Sequence, residues 1–137
     1  MAFQQSFEVN TRGRGTIEIT HNVARIVSAS GIQVGLAHVF VQHTSCSVVL
    51  TENADPSVRR DLETLAARWA PDGDAAYRHD NEGDDDMAAH GRNILAGASV
   101  TIPVGGSDML LGTWQGIYLW EHRTLSQRRR VVVTVIG

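Results

Sequence analysis

The sequence contains no lysine, so each of its 12 basic residues is an arginine. Without lysine the protein has no amine side chain for a Schiff base and no lysine general base. Any contact between a basic side chain and an anion is therefore an arginine contact, which suits two-point binding of phosphate. The single cysteine, Cys46, excludes an internal disulfide bond and is typical of a reducing compartment.

Long apolar stretches are also absent. No segment approaches the roughly 18 apolar residues of a membrane span, and the N-terminal residues have neither a basic start nor the apolar run of a signal peptide. The formal net charge of −3 does not favour nucleic acid. We therefore expect a cytoplasmic protein that binds neither a membrane nor nucleic acid.

Several sequence motifs that would identify a nucleotide or metal site are missing: GxxxxGK[ST], GxGxxG, HExxH and CxxC. The chain has 137 residues, enough for one core. It shows no internal repeat, linker or low-complexity tract. We predict a single domain over residues 1–137.

Hydrophobic periodicity predicts an α+β fold with a mostly antiparallel or mixed, sandwich-like β-sheet and about three helices. Strands are predicted over 3–10, 16–19, 34–42, 46–51, 99–104 and 129–136, and residues 109–123 are predicted to form one long strand or a bent pair of strands. The first helix is expected to begin after Thr20 as N-cap and to end at Gly31. The second begins at Asp55-Pro56, an N-cap followed by proline at the first helical position, and the third ends at Gly97.

The stretch from His79 to His90 carries the densest charge. Five carboxylates lie within residues 80–86, with a histidine at each end. Such carboxylates repel one another, so they stay hydrated, recruit arginines or hold a cation. Asp86 and His90 are four residues apart at a predicted helix start, which places them on one helical face as metal-ligand or acid/base groups. Asp86 as a plain N-cap in a hydrated loop is the alternative.

His43 and Cys46 suggest a nucleophile with its base, but residues three apart on a strand point to opposite faces. A small buried cysteine is the favoured interpretation of Cys46. His43 stands by itself, at a strand junction beside two hydroxyl groups that could orient it.

Residues 51–56 join a predicted strand to a helix, where free backbone N–H groups attract ligands. Capping explains Asp55 but leaves Glu52 without a role. Glu52 and Asn53 are therefore candidates for contact with a ligand.

Alternation along residues 111–123 places Trp114, Tyr118, Trp120 and His122 on one face of a strand. With Gly112 and Gly116 beside them, these aromatic side chains could form a groove for a flat ring. They could equally belong to the core or to a subunit interface.

Taken in order, several blocks resemble the YjbQ-like family, often labelled secondary thiamine-phosphate synthase. They are His43-Thr44-Ser45, residues 52–56, residues 82–90, Ile102-Pro103-Val104, residues 112–117, Glu121-His122-Arg123 and an Arg-Val-rich last strand. The resemblance runs nearly the full length, and the blocks are specific in combination. It implies a compact α+β fold, a homotrimer and a polar site that binds metal. The implied activity joins a pyrimidine diphosphate to a thiazole phosphate.

The family's polar positions correspond here to His43, Asp86, His90, Glu121 and His122. We therefore predict a metal-assisted transferase in which His43, His90 and His122 bind a divalent ion such as Zn, Mg or Mn. Asp86, Glu52 and Glu121 are the candidate catalytic carboxylates. Arg123, Trp114, Gln115 and Asn53 are the candidate contacts to a small phosphate substrate. The rival hypothesis is a non-catalytic metal- or metabolite-binding homotrimer.

Overall fold

A computed structural model describes all 137 residues, as eight strands and three helices. The strands are β1 (Ala2–Asn10), β2 (Gly15–Glu18), β3 (Val34–Val41), β4 (Cys46–Glu52), β5 (Ser99–Gly105), β6 (Asp108–Met109), β7 (Gln115–Glu121) and β8 (Arg128–Ile136). The helices are α1 (Thr20–Ser30), α2 (Pro56–Trp69) and α3 (Asp86–Ala96). None of the helices is long and apolar enough to cross a membrane.

The strands form two antiparallel sheets with the core between them. The larger sheet has the order β1-β8-β3-β5-β6 and the smaller has the order β2-β7-β4. Alternate side chains of each strand enter the core: on β3, Ala37, Val39 and Val41 are buried while His38 and Phe40 face outward. The predicted sandwich-like α+β fold is confirmed.

The helices occupy two different places. Helix α1 lies on the core side, because Val23, Ile26 and Val27 belong to the same apolar cluster as the inner side chains of both sheets. It ends at Gly31, whose φ of 68° is favourable for glycine. Helices α2 and α3 pack against the smaller sheet, where the indole N–H of Trp120 donates to Glu63 of α2 at 2.8 Å.

One predicted helix start is correct and another is displaced. Asp55 caps α2 by accepting the N–H of Ser57 at 2.9 Å, and Pro56 is the first helical residue. Thr20, predicted as an N-cap, is instead the first residue of α1. Its hydroxyl accepts the N–H of Ile117 from β7 and donates to Glu18, so a tertiary contact uses the group that would have capped the helix.

One long strand over residues 109–123 is wrong, because Met109 belongs to β6 and only residues 115–121 form β7. Residues 110–114 lie outside the sheets. Side chains close this turn: the amide oxygen of Gln115 accepts the N–H of Gly112 at 2.8 Å. Because the turn follows from side-chain contacts, alternation of residue types did not reveal it.

Candidate functional site

The acidic segment leads directly into α3. Gly83 has a φ of 99°, which lets the backbone bend within the charged run. Asp85 occupies the N-cap position and Asp86 is the first helical residue, yet neither side chain caps the helix. The Asp86 carboxylate is buried and lies on the same face of α3 as His90, with Oδ2 3.1 Å from Nε2 of His90. The predicted i, i+4 pair is therefore present in the structure.

A second histidine completes this cluster. His79, in the loop before α3, places Nε2 at 2.7 Å from the same Asp86 oxygen. One ligand atom from each of His79, Asp86 and His90 lies within 4.8 Å of the others, and no other group of three such residues is arranged in this way. The histidine cluster, as we name these three residues, contains one side chain that received no role in the sequence analysis. The only feature of the sequence that could have indicated a role for His79 is its position at the edge of the acidic stretch.

Hydrogen bonding fixes the tautomer of His90. Its Nδ1 lies 3.0 Å from the carbonyl oxygen of Thr44, which can only accept, so Nδ1 carries a proton. In the neutral ring, Nε2 then has a lone pair that faces a carboxylate oxygen of Asp86. Two lone pairs at this distance repel each other, unless a proton or a metal cation lies between them. A backbone carbonyl that orients a metal-binding imidazole is a common arrangement in metal sites.

Arg123, predicted to bind phosphate, is occupied by the acidic segment. Its guanidinium donates to Asp85 at 2.9 Å, to Asp86 at 2.8 Å and to the carbonyl oxygen of Glu82 at 3.0 Å. All three donor nitrogens are thereby used. Arginine recruitment thus relieves part of the repulsion in the acidic run, and Arg123 fixes the loop around the cluster.

The same contacts keep both aspartates ionised. Burial alone would raise the pKa of Asp86, but the hydrogen bond from His79, the charge that His90 carries when protonated and the charge of Arg123 outweigh it, so this pKa lies below its ordinary value. Burial likewise opposes ionisation of Asp85, but bonds from the Thr124 N–H and from Arg123 lower its pKa to about 2. An ionised Asp86 is the state required of a metal ligand.

Within one chain, the group of neighbouring ligand atoms that contains His90 includes neither His43 nor His122, the other two predicted metal ligands. His43 uses the lone pair of Nε2 to accept the backbone N–H of Arg130 at 2.7 Å. His122 is fully buried, and its Nε2 lies 2.8 Å from the hydroxyl of Ser47. One nitrogen of each ring is therefore engaged in a contact that holds strands together, whereas Nδ1 of His122 is buried without a hydrogen-bond partner.

The surroundings of these two histidines also disfavour protonation of their rings. Burial, followed by the charge of Arg129, lowers the pKa of His43. Burial and then the charges of Arg92, Arg14 and Arg129 lower the pKa of His122 to about 3. Of the three predicted metal ligands, only His90 lies in the histidine cluster.

Glu121, a predicted catalytic carboxylate, is sealed in the protein. It pairs with Arg129 through Nε at 2.7 Å and through Nη2. It also accepts the hydroxyl of Thr11 and the backbone N–H groups of His122 and Arg123. The side chain has no exposed surface, so in this structure Glu121 positions the backbone before Arg123 and cannot touch a substrate.

The remaining predicted site residues lie at the opposite end of β7. Glu52 accepts the N–H groups of Ala54 and Asp55, so turn capping accounts for it after all. Asn53 and Gln115 hydrogen-bond within the 112–115 turn, and Trp114 is exposed beside them. β7 spans six residue steps, or roughly 20 Å at ~3.3 Å per residue. The structure does not join this end to the histidine cluster.

The aromatic face of β7 is largely core. Tyr118 and Trp120 are buried, with Arg59 of α2 lying 4.8 Å over the Tyr118 ring. An apolar groove does lie between α2 and α3, lined among others by Trp69, Leu95 and Trp120. Leu95 lies about 140° around α3 from His90 at 100° per residue, so this groove is on a different side of the helix from the cluster.

Cys46 is fully buried, and desolvation raises the pKa of its thiol to about 12. A thiol of this kind is not ionised near neutral pH and is a poor nucleophile. The favoured interpretation of Cys46 as a packing residue agrees with this environment.

Comparison with known proteins agrees with this architecture. The family described as "UPF0047 protein YjbQ-like" matches residues 5–137. The chain is 42% identical to the UPF0047 protein sll1880 of Synechocystis, over 98% of this chain and 91% of that protein. It is 38% identical to the UPF0047 protein YjbQ of Escherichia coli O157:H7, over 100% and 99%.

Solved structures give the same result. A YbjQ-like protein of unknown function from Sulfolobus solfataricus superposes with a TM-score of 0.91 at 26% identity, covering 100% of this chain and 98% of that one. An uncharacterised protein of the YjbQ/UPF0047 family from Clostridium acetobutylicum gives 0.88 at 36% identity, covering 96% and 99%. The chain belongs to the YjbQ-like UPF0047 family.

Proposed function

We propose that the protein is a metal-dependent enzyme acting on a small phosphorylated substrate, with a reaction like that of thiamine-phosphate synthase. The observation that carries the proposal is the histidine cluster: two imidazoles and an ionised carboxylate whose ligand atoms lie within 4.8 Å. The reaction class comes from the family resemblance. It joins hydroxymethylpyrimidine diphosphate to thiazole phosphate and releases pyrophosphate.

The donor set fits a divalent cation. His79, Asp86 and His90 would hold it, and two imidazoles with one carboxylate suit Zn, Mn or Fe better than Mg, which prefers oxygen ligands. Asp86 is buried, but His79 is exposed and His90 is half-buried, so the cluster opens to solvent on one side. A site with three protein ligands and an open position is typical of catalytic metal centres.

The roles of the chain's own residues follow from their contacts. When bound, the cation would neutralise charge that develops on a pyrophosphate leaving group. Thr44 holds His90 in the tautomer that presents Nε2, and Arg123 keeps Asp86 ionised and oriented. Because Arg123 is occupied, Arg78 is the better candidate for a phosphate contact: it is exposed and directly precedes His79.

The test of the metal site is elemental analysis of gently purified, dialysed protein. Wild type should hold a stoichiometric divalent metal, and His79→Ala, Asp86→Asn and His90→Ala should each weaken binding at least about tenfold. His21→Ala, which removes an exposed histidine from α1, is the matched control and should bind as wild type does. Wild type without metal, or equal metal in all four variants, would refute the site.

Catalysis needs a separate assay on the same preparations. Pyrophosphate release from the two phosphate substrates should require metal and should disappear in Asp86→Asn. Metal bound with no turnover would favour the rival, a non-catalytic metal- or metabolite-binding protein. We further propose a homotrimer on the basis of the resemblance, and sedimentation equilibrium at micromolar concentration should then give about three times the chain mass.

A further inference from the structure

The guanidinium of Arg129 is buried, and its contacts with Glu121 and Ser45 use only two of its three nitrogens. The residue is 4% exposed. Nε donates to Glu121 at 2.7 Å, and Nη2 donates to Glu121 and to the carbonyl and hydroxyl oxygens of Ser45 at 3.1 and 2.9 Å. The third nitrogen, Nη1, has a single polar neighbour, which is Nδ1 of His43 at 3.5 Å. The N–H groups of Nη1 therefore have no protein acceptor unless His43 provides one.

The tautomer of His43 prevents it from accepting this hydrogen bond. The backbone N–H of Arg130 can only donate, and its nitrogen lies 2.7 Å from Nε2 of His43, so Nε2 carries a lone pair. Burial and the charge of Arg129 lower the pKa of the ring, which is therefore neutral at pH 7. The single ring proton is then on Nδ1. Two donors, Nδ1–H of His43 and Nη1–H of Arg129, face the same place without a protein acceptor between them.

This donor pair matches the requirements of an anionic oxygen. Buried donors are normally satisfied, and an unsatisfied donor on a charged group is costly. Guanidinium N–H groups form strong hydrogen bonds with phosphate oxygens, and the separation of 3.5 Å allows one phosphate to accept from both nitrogens. His43 is half-buried and the next residue, Thr44, is exposed, so this end of the sheet is open to solvent.

The donor pair lies close to the histidine cluster along the chain. The carbonyl oxygen of Thr44 accepts from Nδ1 of His90 at 3.0 Å, and His43 directly precedes Thr44. Standard backbone dimensions then place Nδ1 of His43 and Nδ1 of His90 at most roughly 12 Å apart. Two phosphorylated molecules take part in the proposed reaction. One loses pyrophosphate at the metal, whereas the other keeps its phosphate group and needs a separate position for it.

We propose that His43 and Arg129 bind the phosphate group of the substrate that keeps it. Nδ1 of His43 and Nη1 of Arg129 donate to phosphate oxygens, and no bond to phosphorus is formed or broken there. His43 is thus an anion-binding residue and not a metal ligand. The identity of the substrate rests on the proposed function, but the phosphate subsite itself rests only on the two facing donors.

Two substitutions of His43 separate its two nitrogens. In His43→Asn, the side-chain amide nitrogen can replace the Nδ1 donor, but no group replaces the Nε2 acceptor. In His43→Gln, the amide oxygen can replace the Nε2 acceptor of the Arg130 N–H, but the Nδ1 donor is lost. A purely structural role of His43 therefore predicts that the asparagine variant is the more damaged, whereas the phosphate subsite predicts that the glutamine variant is.

The experiment is a titration with inorganic phosphate at neutral pH and constant ionic strength, followed by the backbone amide signals of Thr44 and Arg129. Wild type should show saturable shifts, and ring ¹H–¹⁵N spectra should show the Nδ1–H tautomer of His43. His43→Gln should weaken binding at least about tenfold, whereas His43→Asn should stay within about threefold of wild type. His21→Gln, at the exposed histidine of α1, is the matched control and should bind as wild type does.

The metal site and the phosphate subsite can fail separately. Asp86→Asn should lose metal and keep phosphate binding, while both His43 variants should keep metal, as elemental analysis measures. Wild type that binds phosphate at His43 but holds no metal would refute the metal centre alone. Wild type that holds metal but gives no saturable phosphate shift would refute the subsite alone.

Other results would also overturn the subsite. An Nε2–H tautomer of His43 in the free protein would remove the facing donors. Equal affinity for phosphate in wild type and in folded His43→Gln, or equal loss in both folded His43 variants, would show that the Nδ1 donor does not bind it. Acetate, titrated in the same way, should bind more weakly, and tighter binding of acetate would contradict a phosphate ligand.

Discussion

Two buried carboxylates, Asp86 and Glu121, each hold an arginine, but their surroundings differ. Glu121 accepts only from donors fixed by the fold: the Arg129 guanidinium, the hydroxyl of Thr11 and two backbone N–H groups. Asp86 shares one oxygen between two histidines, one of them exposed, and the lone pair of neutral His90 faces it. A sealed pair of this kind stabilises the fold, whereas a half-open cluster can exchange a proton or a cation. The sequence alone does not distinguish these two carboxylates, but the groups that donate hydrogen bonds to each of them do.

The sealed pair should give the largest effect on stability. Glu121→Gln leaves the Arg129 charge buried without its anion, so the free energy of unfolding should fall by about 3–5 kcal/mol. Urea denaturation measures it. The matched change Glu8→Gln breaks the exposed 3.5 Å pair with Arg128 and should stay within about 0.5 kcal/mol of wild type. A loss below about 1 kcal/mol for Glu121→Gln would mean that the pair is not sealed in solution.

Disrupting the half-open histidine cluster should lower the free energy of unfolding by less than disrupting the sealed pair. In Asp86→Asn, Arg123 keeps its bond to Asp85, so no arginine is left buried without a counterion, and we expect a loss of about 1–3 kcal/mol. Metal binding should be lost while the fold remains. The same urea experiment measures the first effect and elemental analysis the second. If Asp86→Asn destabilises the protein as much as Glu121→Gln, the contrast between the two carboxylates is wrong.

Lowering the pH should destabilise the fold around the histidine cluster, because Asp85 becomes protonated. Its folded pKa of about 2 lies below the ordinary aspartate value of ~3.9, so its stabilisation is complete above about pH 5 and is lost as the pH falls toward 2. The contribution is about 1–2 kcal/mol. Comparing wild type with Asp85→Asn between pH 5 and 2.5 should show that the difference in unfolding free energy shrinks with acid. A difference that stays constant would contradict the ion pair.

The smallest effect concerns Cys46, which is buried beside the sealed region and is not part of the cluster. Cys46→Ala removes one sulfur atom from the core and should cost about 1 kcal/mol with fold and metal binding retained. Thermal unfolding and elemental analysis measure both. Loss of all turnover in a stably folded Cys46→Ala protein would restore a cysteine mechanism.

The parts of the site that could be predicted from sequence are those encoded locally. Asp86 and His90 are related by one helical turn, so recognising the helix start was sufficient to pair them. Likewise Asp55 and Pro56 mark the start of α2 through adjacent residues. Strands β3 and β8 were predictable because their apolar pattern extends over eight and nine residues.

The rest depends on contacts distant in sequence. His79 reaches Asp86 from a loop with no periodicity, so only the folded chain reveals the pair. His122 and Glu121 were predicted as site residues because they correspond to the family's polar positions, yet packing against Ser47 and Arg129 buries them. Arg123 looked free to bind phosphate because the sequence does not show that Asp85 and Asp86 lie within reach of its guanidinium.

The way Arg123 joins two loops has a consequence for how the region opens. Its guanidinium and the neighbouring Thr124 N–H both bind the Asp85 carboxylate, so the acidic loop cannot leave without freeing the segment after β7. The two segments then behave as one unit of local unfolding, with a shared rate of amide hydrogen exchange. The exchange rate of the Thr124 backbone N–H, which lies outside the histidine cluster, therefore reports how often the acidic loop opens.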